Sequence, residues 1–480
     1  MSASGDEKEQ VQHIDNTGSA ASDNESGLDP VREKAILKKV DWRLLPILGA
    51  LYSVALIDRT NMSNANVAGM SVDLKLYEGE RYSIALLMFF VPYFIFELPS
   101  NILLRKVGAA VWLSTIVLLW GIVMIGMGFV KTWVQLTILR TVLGLFEAGF
   151  FPGCVYLVSC WYVRYEVQKR MAAFYLVSVV VGGFSNILAY GLMQMDGLGG
   201  VEGWRWIFIM EGIITCLLGF LSYVSIIDFP DKVREKGKTF ITEEEVEIIK
   251  WRIEQDRDDA VADELTMAKV VKHLSDWKLW CFALMFMCST VASYALSFFM
   301  PIIIRNMGFD GGIAQVLSAP PYVAAVIIGM SLAVLADHLR MRGPIIVVQS
   351  LITITGLILV AYGKTFGPRY FGLFLGISGA NANVPAVLSY QSNNVRTQSK
   401  RAVSSALQVG FGAIGGIFAS TVFRQKDAPG YVPGLWATVG CQLFIVTLCG
   451  VFTVYFRRKN AQQQRGEAVL EGHERFTYTY

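Results

Sequence analysis

Twelve apolar blocks, each about 20 residues long, limit what this chain can fold into. They run at about 43–64, 83–104, 109–130, 133–160, 171–194 and 204–228, then 279–304, 313–336, 344–363, 369–391, 403–424 and 435–456. A helix of that length crosses roughly 30 Å of hydrocarbon and satisfies its own backbone hydrogen bonds. The expected fold class is therefore all-α integral membrane, with twelve transmembrane helices in two six-helix halves.

The polar gap at 229–278 separates the halves. Within it Thr242 and Glu245 have capping-box spacing, and Ile248, Ile249, Trp251 and Ile253 follow. That pattern predicts a short amphipathic helix along the membrane face. The expected organisation is a disordered tail at 1–40, a first half at 41–228, a central loop at 229–278, a second half at 279–456 and a second tail at 457–480. Residues 1–35 are rich in Ser, Asp, Glu, Asn and Gly and lack the apolar core of a signal peptide. An even helix count puts both termini on one side. Lys38, Lys39 and Arg43 before the first block, and Arg457, Arg458 and Lys459 after the last, make that side the cytoplasm. Basic residues in the short loops are nearly balanced across the membrane and add little.

Two six-helix halves joined by a cytoplasmic loop is the layout of the major facilitator fold, in which substrate binds near the midplane between rocking halves. Small residues should then mark close helix approaches. Candidates are Gly144 with Ala148, Gly149 with Gly153, Gly182 with Gly183, and Gly410, Gly412, Gly415 and Gly416. The turns 103–108 and 335–343 resemble each other, and only the second carries an acid, Asp337, before Arg340. Asp337, Arg340 and Glu97 are candidate gating residues.

Charges inside the blocks narrow the function. The first block holds Asp58-Arg59-Thr60-Asn61, and the fourth holds Arg140 and Glu147. Each unpaired charge at the bilayer centre costs on the order of 3 kcal/mol, so mutual compensation is expected. Counting about 1.5 Å per residue puts Arg59 and Arg140 at one depth, as a candidate anion clamp. The spacing of seven turns Arg140 and Glu147 to the same side of their helix. Two plainer readings stay open: Arg59 snorkelling at an interface, and Arg140 with Glu147 as a helix-locking pair. His13, His273, His338 and His473 all lie outside the blocks, so any proton coupling must use carboxylates, with Asp58 and Glu147 first. Glu211 in the sixth block reads as structural or gating. The second half has no deep charge. It offers Tyr294, Asn381, Ser389, Tyr390 and Gln408 as hydrogen-bonding and aromatic walls.

Composition excludes other classes. The seven cysteines sit in or beside apolar blocks without metal-site spacing, and read as small core residues. No metal site, nucleophile–base motif or phosphate loop is present, so neither an enzyme nor a cofactor is expected. A formal net charge of +3 gives no ground for a nucleic-acid partner.

The motifs together resemble the fungal anion:cation symporters of the allantoate permease family, within the major facilitator superfamily. The resemblance covers residues 40–460. It is carried by Ile57 to Asn61 with Asn64-Ala65, Tyr93 to Asn101, Arg140 to Pro152, Gly203 to Phe208 with Glu211-Gly212, Ser318 to Tyr322, Ser392 to Val395, and Lys400 to Ala402. It implies proton-coupled uptake of a small organic anion such as nicotinate, allantoate or pantothenate. By the resemblance Arg59 would bind the anion, Asp58 and Glu147 would couple protons, and Arg140 would be the basic partner of Glu147; the residues themselves add Arg140, Asn61, Tyr294, Ser389, Tyr390 and Gln408 as candidate substrate contacts. The implied setting is a monomer in the plasma membrane, driven by the proton gradient, with anion, proton and lipid as its partners. A proton-coupled exporter of a metabolite acid fits the same residues.

Overall fold

A computed structural model describes residues 30–230, 232, 241–258, 267–339, 341–396, 398–424, 427–467, 469–471 and 476–480. Apart from the connecting loops and residues 469–471 and 476–480, these segments are helical. The first half comprises α1 (Pro30–Ala65), the short α2 (Ser71–Asp73), α3 (Arg81–Val107), α4 (Ala109–Met127), α5 (Trp133–Glu147), α6 (Phe150–Trp161), α7 (Arg164–Met193) and α8 (Gly203–Ser225). The connecting region holds α9 (Glu243–Asp258) and α10 (Met267–Leu274). The second half comprises α11 (Trp277–Asn306), α12 (Gly311–Leu339), α13 (Gly343–Tyr362), α14 (Phe366–Asn394), α15 (Gln398–Val422) and α16 (Val432–Gln464).

With α5 and α6 end to end as one column, each half has six columns, as expected. Among the described residues, ten helices are long and apolar enough to cross a membrane by length and composition. An eleventh is α3, bent by 53° between Glu97 and Pro99, where a proline breaks the helical ladder. In the remaining column, α7 (Arg164–Met193), the first turns carry Arg164, Glu166, Lys169 and Arg170, and the apolar block from residue 171 onward follows within the same helix. Helix α1 begins at Pro30, so residues 30–40, expected in the tail, are helical.

The predicted capping box forms. Thr242 N donates to Glu245 Oε2 at 3.0 Å, and Glu245 N donates to Thr242 Oγ1 at 3.3 Å. Helix α9 then docks on the first half through Lys39–Glu245 and a two-pronged Arg252–Glu166 pair at 2.9 and 2.7 Å. Beside it, Arg170 grips Asp41 at 2.6 and 2.9 Å.

The segment after α16 folds back onto the second half. Glu471 bonds Lys278 on α11 and Lys400 on α15. Tyr478 stacks on Phe456 at 4.5 Å and pairs its backbone with the Asn460 side chain. Thr479 N reaches Asn394 on α14, and the Tyr480 carbonyl accepts from Arg342 N. Five columns of one half are thus tied at their terminal-side ends.

Glycines act where sequence spacing placed them. A Cβ on Gly144 would overlap the Phe89 carbonyl, so α5 lies directly against the α3 backbone. Gly149 faces Ser100 in the same way. At the seam between halves, Gly183 meets Tyr322, Gly410 meets Phe94, and Gly416 meets Phe90. Gln315 Nε2 donates to the Asn64 carbonyl, Tyr82 to the Phe298 carbonyl and Ser83 to the Phe423 carbonyl. These contacts gather at mid-depth and on the side opposite the termini, which closes the seam there.

Candidate functional site

Asp58 and Arg59 are neighbours on α1, so their side chains leave the helix about 100° apart. That one-residue step sends them into different surroundings. Arg59 points to the seam. Its Nε and Nη2 both donate to Glu147 Oε1, at 2.9 and 2.6 Å, and its Nη1 donates to the Tyr294 hydroxyl at 3.1 Å. One guanidinium therefore links α1 and α5 of the first half to α11 of the second.

Aromatic rings enclose this arginine. Its guanidinium carbon lies 5.6 Å from the Tyr93 ring centre and 6.0 Å from that of Tyr294. Tyr294 stacks on Phe298 at 5.7 Å and meets Phe90 edge-on at 5.1 Å. Below, Tyr52 packs between Phe174 and Phe151, at 4.9 and 5.0 Å. Next to Tyr294, Ser293 donates to Asn381 Oδ1 at 2.8 Å. Aromatic faces suit a flat organic anion and also favour a guanidinium.

Asp58 turns inward, into the first half. Asn61 lies on the same side and reaches Asp58 Oδ1 only at 3.5 Å. The charged neighbours of Asp58 are Glu211 on α8, and Glu147 and Arg140 on α5. Arg140 is wholly buried, with its guanidinium 4.8 Å above the Phe89 ring, and none of its three nitrogens has a hydrogen-bond partner. Asp58 Oδ2, Glu147 Oε2 and both Glu211 oxygens are also without partners. Glu147 stands between the two arginines, with one oxygen on Arg59 and the other unclaimed.

The four charges read from sequence do come together, as two sites rather than one. Arg59, Glu147 and Tyr294 make a front site at the seam. Asp58, Arg140 and Asn61 belong to a rear chamber inside the first half. The two arginines do not share a partner set as one clamp: Arg59 is taken by Glu147 and Tyr294, while Arg140 lies over the Phe89 ring with no hydrogen-bond partner. Tyr390 and Gln408 lie elsewhere. Tyr390 is sealed among Phe282, Phe452 and Phe456, and Gln408 donates to the Phe282 carbonyl at 3.4 Å. Ser389 shares Tyr390's stretch of α14, eight residues or roughly 12 Å along the helix from the Asn381 that reaches the front site. Glu97 is buried at the α3 bend, where its carbonyl accepts from Asn101. Arg340 and the Asp337 side chain lie outside the described residues. Sequence reasoning passed over Tyr52, Tyr93 and Ser293, which carry no charge to mark them. It also missed the partnership of Glu211 with Asp58, although Glu211 was visible as an acid in an apolar block.

A family model described as Major Facilitator Superfamily matches residues 48–420. The MFS-type transporter efuF of Hormonema carpetanum is 32% identical, over 92% of this chain and 89% of its own. The MFS-type transporter cnsO of Penicillium expansum is 30% identical, over 98% and 90%. The high-affinity nicotinic acid transporter of Saccharomyces cerevisiae is 29% identical, over 90% and 79%. Among solved structures, the xylose transporter XylE from E. coli, in a partially occluded inward-open conformation, overlays with a TM-score of 0.66 at 13% identity, over 86% of this chain and 99% of that one. A bacterial homologue of the lysosomal transporter Spinster, inward-facing and unoccupied, gives 0.65 at 16%, over 89% and 97%. At such identities these overlays speak for the fold alone.

Proposed function

This chain belongs to the Major Facilitator Superfamily and is a secondary transporter, not an enzyme; from that premise we propose that it is a proton-coupled importer of a small organic carboxylate. The observation that carries this reading is the Arg59 bridge. Its anionic partner, Glu147, is the one group a proton can disarm.

In the proposed cycle Glu147 and a substrate carboxylate compete for the Arg59 guanidinium. With Glu147 ionised, Arg59 is occupied. Protonation of Glu147 removes its charge, and Arg59 can then take the substrate carboxylate in a two-pronged, charge-assisted pair. The loaded site is neutral, which lowers the cost of enclosing it in a dry seam. Tyr294 follows the arginine from the other half, so loading also changes a bond between halves. Binding drives the change only as far as it favours one arrangement over the other.

The proposed substrate is a flat aromatic monocarboxylate such as nicotinate, supported by the tyrosine enclosure and by the nicotinic acid transporter among the relatives. Placement in the allantoate permease branch, a single chain as working unit, the plasma membrane and cytoplasmic termini complete the proposal.

The test is uptake of labelled nicotinate into cells or vesicles across an imposed pH step, with a panel of related carboxylates as competitors. Glu147→Gln should bind substrate while losing proton-driven accumulation. Full accumulation in that variant would remove Glu147 from the mechanism. Inverted vesicles under the same step fix the direction and separate uptake from export.

A further inference from the structure

The rear chamber holds more acid than the front mechanism uses. Asp58 and Glu211 are electrostatic neighbours on α1 and α8, almost completely buried, at 1% and 2% exposure. Asn61 lies next to both without good hydrogen-bond geometry to Glu211. Helix α8 is pressed onto α4 at this level, where Gly212 and Gly121 face each other and Cβ atoms would not fit. The acids therefore cannot retreat toward solvent.

Charge accounting decides what they hold. The charged and titratable groups in or adjoining the chamber are Asp58 on α1 with Arg59 at the front beside it, Tyr82 on α3, Arg140 and Glu147 on α5, and Glu211 and Cys216 on α8; α4 contributes the neutral Trp120. Arg59 and ionised Glu147 cancel at the front. That leaves Arg140 against two carboxyls. Two ionised acids would leave one buried negative charge without a partner, which is costly in a dry interior. One proton between them restores neutrality, and two like carboxyls in a shared site titrate as a pair.

We propose that Glu211 and Asp58 share one resident proton balanced by Arg140, making Glu211 a further proton-holding residue behind the Arg59–Glu147 site. This rests on the reading that the buried acids of the first half serve proton coupling. The geometry also gives the resident proton a neighbour to exchange with. Glu147, with its free oxygen beside the chamber, is the acid common to both sites.

The test needs no substrate, so its outcome is independent of which anion is carried. The full-length chain is placed in lipid nanodiscs near neutral pH, and infrared difference spectra are taken between the wild type and its variants. The wild type should show the carbonyl band of one protonated carboxylic acid that both Glu211→Gln and Asp58→Asn lack, since either leaves a single ionised acid on Arg140. Thermal unfolding supplies the second arm. Each single variant should stay folded, the Asp58→Asn/Glu211→Gln double should lose stability well beyond the sum of the singles, and adding Arg140→Gln to the double should recover it. A band that survives in Glu211→Gln, or a double variant that is merely additive, overturns the shared proton. Uptake that survives Arg59→Ala while this pattern holds would keep the rear pair and overturn the front-site reading alone.

Discussion

The two halves bury polar groups in opposite ways. The first places Asp58, Arg59, Arg140, Glu147 and Glu211 in its interior, and many of their atoms have no partner. The second buries the neutral Asn383, Gln442 and Ser350 and ties them together, with only the Asn383 Oδ1 of that trio left over. Asn383 Nδ2 reaches both Ser350 Oγ and Gln442 Oε1 at 3.1 Å, and Gln442 donates to the Cys288 carbonyl. Neutral groups that bond one another, as Asn383, Ser350 and Gln442 do, fix a packing arrangement. Charges left half-satisfied can change partners or protonation. In the proposed cycle one half holds its shape and the other responds to protons.

That contrast can be attacked where it is sharpest. Arg140→Met would leave the rear acids and Glu147's free oxygen without their counter-charge. The expected loss is about 3–5 kcal/mol of stability at neutral pH, recovering partly on acidification, read by thermal unfolding across pH. Arg59→Ala comes next, with at least a hundredfold drop in labelled nicotinate uptake per folded molecule, roughly 2.7 kcal/mol of lost binding. Arg59→Lys should recover only part of it, because a single ammonium cannot present the fork. Should a charge-neutral change in the second half match that loss, the division between halves would be wrong.

Asn383→Leu is that control. It removes two hydrogen bonds and strands two partners, at about 2 kcal/mol of stability, with uptake per folded molecule near the wild-type value. The smallest effect concerns the folded-back segment after α16. Burial alone would raise the Glu471 carboxyl, but Lys278 and Lys400 outweigh it and hold the group below the usual range. Its contribution is therefore fully present above the ordinary glutamate value of about 4.3. It fades as pH falls through the lower folded value. Glu471→Gln should cost about 1 kcal/mol near neutral pH and remove that acid-side dependence, read as faster amide exchange at Tyr478.

Much of this was legible in the sequence. Block length gave the columns, and glycine spacing gave the close approaches at Gly144 and Gly183. Charges in apolar blocks gave Asp58, Arg59, Arg140 and Glu147, because insertion cost makes each of them conspicuous. What could not be read was azimuth. Rise per residue yields depth, and at equal depth a rotation of 100° moves a side chain from seam to interior. Arg59 and Arg140 match in depth by residue count and differ in what their side chains meet. Tyr390 failed for the complementary reason: an aromatic residue advertises neither depth nor role, and here it fills a core among other rings. The fold-back of residues 469–471 and 476–480 depends on pairings such as Glu471 with Lys278, almost 200 positions apart, which no local pattern announces.

The Arg59–Glu147 bridge has an electrical consequence. If one anion enters as one proton settles on Glu147, the loaded carrier moves no net charge, and the membrane voltage does no work on it. If the rear proton travels as well, each cycle carries one positive charge inward, and every 100 mV across the membrane adds about 2.3 kcal/mol to the driving force. Currents recorded during uptake would therefore count the protons that the two buried sites release, and a voltage-insensitive carrier would be one whose rear pair never lets its proton go.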